Sequence, residues 1–278
     1  MNRVSAYIRQ SLQDLYPPQE LKSLVMMICC DMLGMDALDI YLGKDINLSE
    51  SKQHELENIL LRLRKNEPIQ YIRGVASFLG RPFQVAPGVL IPRPETAELV
   101  ELIISENKNR FIRILDVGTG SGCIAVSLSL EGYKDVVAWD ISDDALAIAR
   151  TNNEVLGANV LFEKKDVFAD QSIGSAKFDI IVSNPPYVTE AEREEMELNV
   201  LDWEPELALF VSDNDPLCFY RCIAILGREL LTGEGQLYFE INRAYGVETV
   251  SMLTDLGYRN PRIIKDISGN DRIVTAYK

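Results

Sequence analysis

Apolar residues recur at helical spacing from residue 2 to about residue 65. The pattern places them three and four positions apart, which puts them on one face of a helix. The two clearest stripes are Leu21, Leu24, Val25 and Ile28, and Leu56, Ile59, Leu60 and Leu63. Ser49 precedes the second stripe and is a suitable N-cap residue. This part of the chain is therefore predicted to be entirely helical.

The pattern changes between residues 68 and 94. Segments 70–74, 77–79 and 82–85 are short and aromatic or β-branched, and glycines at 74, 80 and 88 separate them. Such segments are typical of strands joined by tight turns. We predict a β-hairpin linker with a two-residue turn at Gly80 and Arg81. A helix over 95–105 should follow.

Strands and helices then alternate to the end of the chain, which indicates βαβ units and a mostly parallel, Rossmann-like sheet. The seven predicted strands are 113–117, 135–140, 160–163, 178–183, 235–241, 259–264 and 272–277. The short turn at 266–271 predicts a hairpin, so the last strand is expected to be an antiparallel edge strand. The predicted domains are 1–67, 68–94 and 95–278.

Composition and charge narrow the classes of partner. The chain has 47% hydrophobic and 25% charged residues, as an ordinary globular protein does. Its 42 acidic and 28 basic residues give a net charge of -14. This charge repels a phosphate backbone, so stable nucleic-acid binding is not expected. A basic protein or a cationic small molecule is easier to accommodate.

Cysteine and histidine usage argues against a metal site. The five cysteines include no C-x-x-C pair, and His54 is the one histidine. We expect reduced, buried thiols and no metal. Residues 1–10 lack the apolar region of a signal peptide, and no apolar run reaches the length of a membrane span. The sequence thus predicts a cytoplasmic protein.

A glycine-rich turn follows the first predicted strand of the sheet. Residues 118–122 read Gly-Thr-Gly-Ser-Gly and lead directly into a predicted helix. Glycines at this point let a ligand approach the backbone closely. A dinucleotide fingerprint would have Gly or Ala at position 123, which is Cys123. Asp116 before the turn disfavours a pyrophosphate and suits a cationic ligand with an amino group.

Acidic residues stand at the ends of the next two strands. Asp140 lies 20 residues after Gly120, where a carboxylate can accept both hydroxyls of a ribose. Asp166 follows the third strand and can accept from an adenine amino group. Because these positions share the carboxyl edge of the sheet, they predict a site for an adenosyl ligand.

The fourth strand leads into Asn184, Pro185, Pro186 and Tyr187. An amide nitrogen is a weak nucleophile, so its methylation depends mainly on positioning. The Asn184 side-chain oxygen and the Pro185 carbonyl can accept the two N–H bonds of a planar amide or amino group. Tyr187 can form a wall for that group, and the prolines stiffen the loop. This pattern predicts transfer of a methyl group from a sulfonium to a nitrogen.

Segments 116–122 and 183–187 together resemble class I methyltransferases that modify exocyclic nitrogens. The resemblance extends to segments 78–85, 90–96 (Leu-Ile-Pro-Arg-Pro-Glu-Thr), 140–142, 204–209 and 266–272. Over nearly its whole length the chain resembles the HemK/PrmC family, the release factor glutamine N5-methyltransferases. The segment 90–96 is highly specific to that family.

The resemblance implies that S-adenosylmethionine is the cofactor and that class I peptide chain release factors are the protein substrate. The methyl acceptor would be the glutamine of their Gly-Gly-Gln loop, and the helical domain would recognise the substrate. The cofactor-binding residues would be Gly118, Thr119, Gly120, Ser121, Gly122, Asp140, Asp166, Val167 and Asn184. The catalytic residues would be Asn184, Pro185, Pro186 and Tyr187.

Three positions depart from the family pattern. The family often has an aromatic residue where Val167 stands, and usually has Glu where Ala97 stands. Its Glu-Ile-Gly-x-x-Gln stretch is Glu-Ile-Asn-Arg-Ala-Tyr at 240–245. None of the three lies in the segment predicted to hold the amide.

Two other functions fit parts of the pattern. An adenine-N6 methyltransferase acting on DNA or RNA would use the same 184–187 segment, but the net charge and the absence of a basic nucleic-acid module argue against it. A protein of the translation machinery that kept the fold without activity is the other alternative, favoured only by the altered stretch at 240–245.

Overall fold

The computed structural model describes residues 2–169 and 177–278. The chain folds into two compact units. The first unit comprises the residues up to 74 together with 197–203, and the second comprises 75–196 and 204–278. The predicted three-part division at 67/68 and 94/95 stays a prediction.

The helices, in chain order, are α1 (Arg3–Leu12), α2 (Pro18–Met26), α3 (Ala37–Tyr41), α4 (Glu50–Leu63), α5 (Ile69–Arg73), α6 (Pro94–Glu106), α7 (Cys123–Leu130), α8 (Asp143–Leu156), α9 (Leu198–Leu201), α10 (Glu206–Leu209), α11 (Cys218–Leu230) and α12 (Gly246–Asp255). A π-helical stretch, Met27–Met32, continues α2, and Glu190–Glu195 is a 3₁₀ helix. The strands are β1 (Val75–Phe78), β2 (Arg81–Gln84), β3 (Arg113–Val117), β4 (Asp135–Asp140), β5 (Val160–Lys164), β6 (Phe178–Ser183), β7 (Val188–Thr189), β8 (Phe210–Val211), β9 (Leu231–Glu240), β10 (Arg259–Lys265) and β11 (Asp271–Tyr277).

The first unit has a helical core, as its sequence pattern predicts. All eight residues of the two apolar stripes are buried and belong to one cluster. Ser49 caps α4, because its side chain accepts a hydrogen bond from the backbone N–H of Lys52. Over the described residues, no helix combines the length and the apolar character that a membrane span needs.

The hairpin is shorter than predicted. The prediction of an extended segment at 70–74 was wrong, because α5 occupies 69–73 and ends at Gly74 in the left-handed conformation. The strands β1 and β2 pair antiparallel, with Phe78 opposite Arg81. The two turn residues are thus Leu79 and Gly80, both at positive φ (48° and 72°), rather than Gly80 and Arg81. Positive φ at both positions is what a type I′ turn requires.

The second unit is built on a seven-stranded sheet with the order β10-β11-β9-β6-β3-β4-β5. The predicted Rossmann-like class is correct, and β3, β4 and β6 have the predicted bounds. The last strand is antiparallel to both of its neighbours, but it lies one position inside the edge. The hairpin folds β11 back between β10 and β9, so β10 becomes the edge strand.

Successive residues of the sheet face opposite cores, as the period of two in a strand requires. On β3, Ile114 packs in a cluster with Leu99 of α6 and Ile124 of α7. Leu115, the next residue, packs in a second cluster with Tyr220 of α11 and with residues of α12. Helices therefore cover both faces of the sheet, and its functional residues are left at the strand ends.

Candidate active site

The candidate site lies where the chain order of the sheet reverses. From β3 the chain runs outward through β4 and β5, and β6 then returns to the opposite side of β3. In open α/β sheets a ligand crevice forms at such a switch point, outside the carboxyl ends of the strands. A cavity of about 460 Å³ lies there, within the usual range for small-molecule sites.

Hydrogen bonds fix the strand ends around this cavity. The Ser183 hydroxyl at the end of β6 donates to the Val117 carbonyl at the end of β3 (2.6 Å). The backbone N–H groups of Gly118 and Thr119 both donate to the Trp139 carbonyl of β4 (2.9 and 3.0 Å). The glycine turn and the 184–187 segment therefore leave the sheet side by side.

The glycine turn meets the cavity at its first two glycines. Gly118 and Gly120 have φ values of 73° and 54°, which favour glycine, and both line the cavity. A Cβ at either position would meet no protein atom within 4 Å. The space that such a Cβ would enter is thus open to a ligand. Thr119 and Ser121 also line the cavity.

Gly122 has a different role in the fold. It does not line the cavity, and a Cβ on it would lie 3.1 Å from the Ala149 Cβ of α8 and 3.3 Å from Val126 Cγ2. Its φ is 81°, and it caps the start of α7. The residue type is therefore explained by the close packing of α7 on α8.

Asp140 lines the cavity at the end of β4. One carboxylate oxygen accepts from the Gly120 N–H (2.8 Å) and the other from the Ser142 N–H (2.9 Å). Burial raises the pKa of Asp140, and the backbone N–H groups of Ser142, Gly120 and Ile141 oppose that rise. A carboxylate has about four acceptor positions, so these backbone donors leave acceptor capacity for a ribose hydroxyl.

Asp166 and Val167 line the same cavity beyond β5. Next to Val167, Phe168 pairs edge-on with Phe219 of α11, with ring centroids 4.9 Å apart, and both rings line the cavity. The aromatic surface that position 167 lacks is thus present nearby. Sequence reasoning missed both rings, because Phe219 lies in a helix more than 50 residues away and no local motif marks it.

Asp116 does not reach the cavity, which overturns the expectation that its charge faces the ligand. The residue is fully buried and accepts from the Thr119 hydroxyl at 2.6 Å. Burial raises its pKa to about 7, because it outweighs the stabilisation that the Thr119 hydroxyl and the Ala125 N–H give to the charged form. Asp116 instead holds the glycine turn through Thr119.

The 184–187 segment lines the cavity with Asn184, Pro185 and Pro186. The Asn184 side-chain NH₂ donates to the Thr96 hydroxyl (3.1 Å), which leaves its oxygen to face elsewhere. Tyr187 is not among the lining residues. Its hydroxyl donates to Glu240 (3.1 Å), and burial together with the Glu240 charge raises its pKa far above the ordinary value. It therefore carries no charge at neutral pH.

Residues of the altered stretch at 240–245 hydrogen-bond to Tyr187 of the 184–187 segment. Asn242, where the family usually has Gly, is buried and donates to the Tyr187 carbonyl (3.1 Å) and to the Glu192 carboxylate (2.8 Å). Neither Asn242 nor Glu240 lines the cavity. Ala97, the other departure, packs against an apolar core cluster.

Segment 90–96 closes another side of the cavity. Glu204, which is buried, accepts from the Arg93 guanidinium (2.6 Å) and from the Ile91 N–H (3.0 Å). Leu90, Arg93 and Thr96 line the cavity. The sequence marks the segment as distinctive, but only the structure brings Thr96 to Asn184.

The donor set suits a cationic nucleoside. Open glycines, two carboxylates on successive strand ends and flat aromatic surfaces match a ribose, an adenine and a small polar chain. Arg93, a basic residue of the lining, is paired with Glu204. The fold and this site together define the class I, S-adenosylmethionine-dependent methyltransferases. A methyltransferase from Pyrococcus furiosus has the same fold, with a TM-score of 0.55 and 16% identity over 80% of this chain and 98% of that chain.

A 16S rRNA N2 G1207 methyltransferase from T. thermophilus, solved in complex with AdoMet and guanosine, also shares the fold. Its TM-score is 0.53, with 19% identity over 73% of this chain and 49% of that chain. At this identity both solved structures show the fold alone.

The sequence itself shows the family. Residues 4–74 match the PrmC N-terminal domain and residues 96–201 match the Methyltransferase small domain. The chain is 68% identical to the release factor glutamine methyltransferase of Bacteroides thetaiotaomicron over 99% of each chain. It is 44% identical to that of Flavobacterium psychrophilum, over 95% of this chain and 94% of the relative. The chain belongs to the family of release factor glutamine methyltransferases.

Proposed function

We propose that this chain methylates the side-chain N5 of the glutamine in the Gly-Gly-Gln loop of class I peptide chain release factors, with S-adenosylmethionine as methyl donor. The observation that carries the proposal is the position of Asn184. Its side chain lines the cavity beside the open glycines, and its NH₂ group is already bonded to Thr96. The oxygen is thus left for an acceptor amide.

The cofactor supplies, when bound, an electrophilic methyl group on a sulfonium, which the acceptor nitrogen takes as one of its protons leaves to solvent. We assign Gly118, Thr119, Gly120 and Ser121 to the backbone cradle of this cofactor. Asp140 accepts from its ribose, and Asp166 and Val167 lie beside its adenine. Asn184 lies in the cavity between the cofactor side and the acceptor side, and we assign its side-chain oxygen to the acceptor.

The 184–187 segment holds the acceptor. Asn184 Oδ1 and the Pro185 carbonyl accept the two N–H bonds of the glutamine amide, which leaves the nitrogen no freedom to rotate away from the methyl carbon. Pro185 and Pro186 keep the loop rigid and contribute no competing donor. Tyr187 anchors the loop through its hydroxyl bond to Glu240.

The remaining assignments follow from the family and from charge. We propose that the helical unit, which matches the PrmC N-terminal domain over 4–74, recognises the release factor. The net charge of -14 favours a basic protein over a nucleic acid. Because release factors act on ribosomes, we place the reaction in the cytoplasm.

Asn184→Ala should abolish methyl transfer to a purified release factor while leaving cofactor affinity nearly unchanged, because the lost oxygen holds the acceptor. Transfer of a radiolabelled methyl group measures the rate, and calorimetry measures cofactor binding. The matched control is Asn109→Ala, which removes an exposed asparagine whose side chain caps only the Phe111 N–H. That control should keep the wild-type rate.

An unaltered rate in Asn184→Ala would refute the assignment of Asn184. Transfer by the wild-type chain to DNA or RNA adenine, with none to release factor, would refute the proposed substrate instead.

A further inference from the structure

Behind Asn184 lies a chain of hydrogen bonds that ends on the buried carboxyl group of Glu240. The Asn184 NH₂ donates to Thr96 Oγ1 at 3.1 Å, and the Thr96 hydroxyl donates to Glu240 Oε2 at 2.6 Å. Glu240 is completely buried, and its other oxygen accepts from the Tyr187 hydroxyl at 3.1 Å. Thr96 is also buried. These hydrogen bonds thus link three parts of the fold: the 184–187 loop, α6 and β9.

The direction of these bonds follows from the chemistry of Glu240. An ionised carboxylate has no proton to donate, so it can only accept from Thr96. The single hydroxyl proton of Thr96 is then used, and Thr96 can offer only a lone pair to Asn184. Of the two ends of the Asn184 amide, only the NH₂ end can bond to that lone pair. The oxygen must therefore point away from Thr96.

Three partners of Glu240 stabilise its ionised form against burial, which is the largest influence on its pKa and raises it overall. Burial raises its pKa, but the Thr96 hydroxyl, the positive charge of Arg272 and the Tyr187 hydroxyl all act in the opposite direction. A carboxylate buried without such partners would be costly. The negative charge of the nearby Glu95 acts with burial and raises the pKa of Glu240.

We propose that Thr96 and Glu240 are positioning residues that fix the Asn184 amide with its oxygen toward the acceptor nitrogen. This inference rests on the proposed function and extends it. An asparagine amide can rotate by half a turn at little cost in shape, and the rotated form would present NH₂ to the substrate NH₂. Two donors would then face each other, and the acceptor would not be held. We call the hydrogen-bonded series Asn184, Thr96 and Glu240 the relay. The relay excludes the rotated form of the amide.

Thr96→Val tests the relay with little change in volume. The variant keeps the branched side chain and removes the hydroxyl, so the Asn184 amide loses its fixed orientation. We expect kcat to fall about 10- to 100-fold, because a misplacement of about 1 Å can cost roughly 100-fold in rate. The affinity for S-adenosylmethionine should stay within about twofold, because the glycine turn and Asp140, which we assign to the cofactor, are unchanged.

Two matched variants separate the hydroxyl from general packing. Thr96→Ser keeps the hydroxyl and loses a methyl group, so it should retain most of the wild-type kcat. Thr249→Val removes another fully buried hydroxyl, one that donates to the Tyr245 carbonyl in α12, and should also retain it. Thermal unfolding of each variant checks that it is folded at the assay temperature.

The Glu240→Gln variant tests the Glu240 end of the relay. Its amide can donate to Thr96, which frees the Thr96 proton to point at Asn184 and favours the rotated amide. We expect a loss of kcat similar to that of Thr96→Val. The relay is overturned if Thr96→Val keeps the wild-type kcat, or if Thr96→Ser or Thr249→Val loses as much activity as Thr96→Val. A wild-type chain that transfers nothing to a release factor would refute the proposed function itself, whereas loss confined to the variants concerns the relay alone.

Discussion

Single residues at the strand ends carry the specificity of the site. Asp140 is the clearest, because its two oxygens hold the Gly120 and Ser142 backbone and still have acceptor positions toward the cavity. The sequence locates it by its spacing from the glycine turn. A carboxylate at this place selects a ligand with adjacent hydroxyl groups.

Asp140→Ala should weaken binding of S-adenosylmethionine by about 10-fold or more, since a hydrogen bond to a charged group contributes roughly 1.5–3 kcal/mol. Isothermal titration calorimetry measures this affinity. Asp143→Ala is the matched control, because it removes the same charge from an exposed residue that pairs with Lys164 at the surface. Equal affinities for the two variants would show that Asp140 does not hold the cofactor.

Asp116 gives a prediction for stability against pH. Its folded pKa of about 7 lies above the unfolded value of roughly 3.9. The folded state therefore binds more protons between these two pH values, and the contribution of Asp116 to stability is lost as pH rises through about 7. The free energy of unfolding of Asp116→Asn, relative to the wild type, should rise over this window and become constant above it. Urea unfolding at several pH values measures the difference, and parallel curves for the two proteins would contradict the assignment.

Most of the predicted site residues line the cavity, but the sequence does not indicate every residue that the structure brings to it. Gly118 and Asn184 lie directly after strands and Asp140 ends one, so the sequence places all three at one edge of the sheet. Phe219 and Glu240 come from a distant helix and from the strand β9, and only tertiary packing brings them to the site. Asp116 was wrongly expected to face the ligand, because the pattern does not show to which side of the turn its carboxylate points.

Helices and strands of the second unit are held close together where the glycine turn enters α7. Gly122 lies at this point, at positive φ and against Ala149 of α8. A side chain here would push α7 from α8, and the backbone that lines the cavity begins only a few residues earlier. The element packing and the shape of the cavity therefore depend on the same residue.

Gly122→Ala should be destabilised by about 1–3 kcal/mol more than Gly157→Ala, because the added methyl group overpacks the interface between α7 and α8. Gly157 is a good control, since its φ of 73° carries similar strain but a Cβ there would meet no atom within 4 Å. Chemical denaturation of both variants measures the difference. Equal losses would show that the close approach of α7 and α8 is not important.

The bounds of the helices and strands were easier to predict than the pairing of the strands in the sheet. Buried strands such as β3 and β6 are short, mostly apolar segments with clear ends, and their bounds are as predicted. The start of β9 was missed by four residues, because Gly233 and Gly235 interrupt its pattern. The position of β11 inside the sheet depends on its pairing with β9, which a local turn signal does not report.

The whole molecule combines a helical unit with a methyltransferase fold, and it carries a net charge of -14. The 68% identity to a release factor glutamine methyltransferase over 99% of each chain shows the family. The family was predictable from the sequence because its motifs fall in the site itself. How the substrate is recognised depends on surfaces that no short motif marks.

Peptide mass mapping after incubation of the chain with S-adenosylmethionine and a purified class I release factor shows directly whether and where a methyl group is transferred. We expect one added methyl group, located on the glutamine of the Gly-Gly-Gln loop, and no addition with the Asn184→Ala variant. A methyl group on any other residue of the release factor, or none at all with a folded, cofactor-binding chain, would contradict the proposed function.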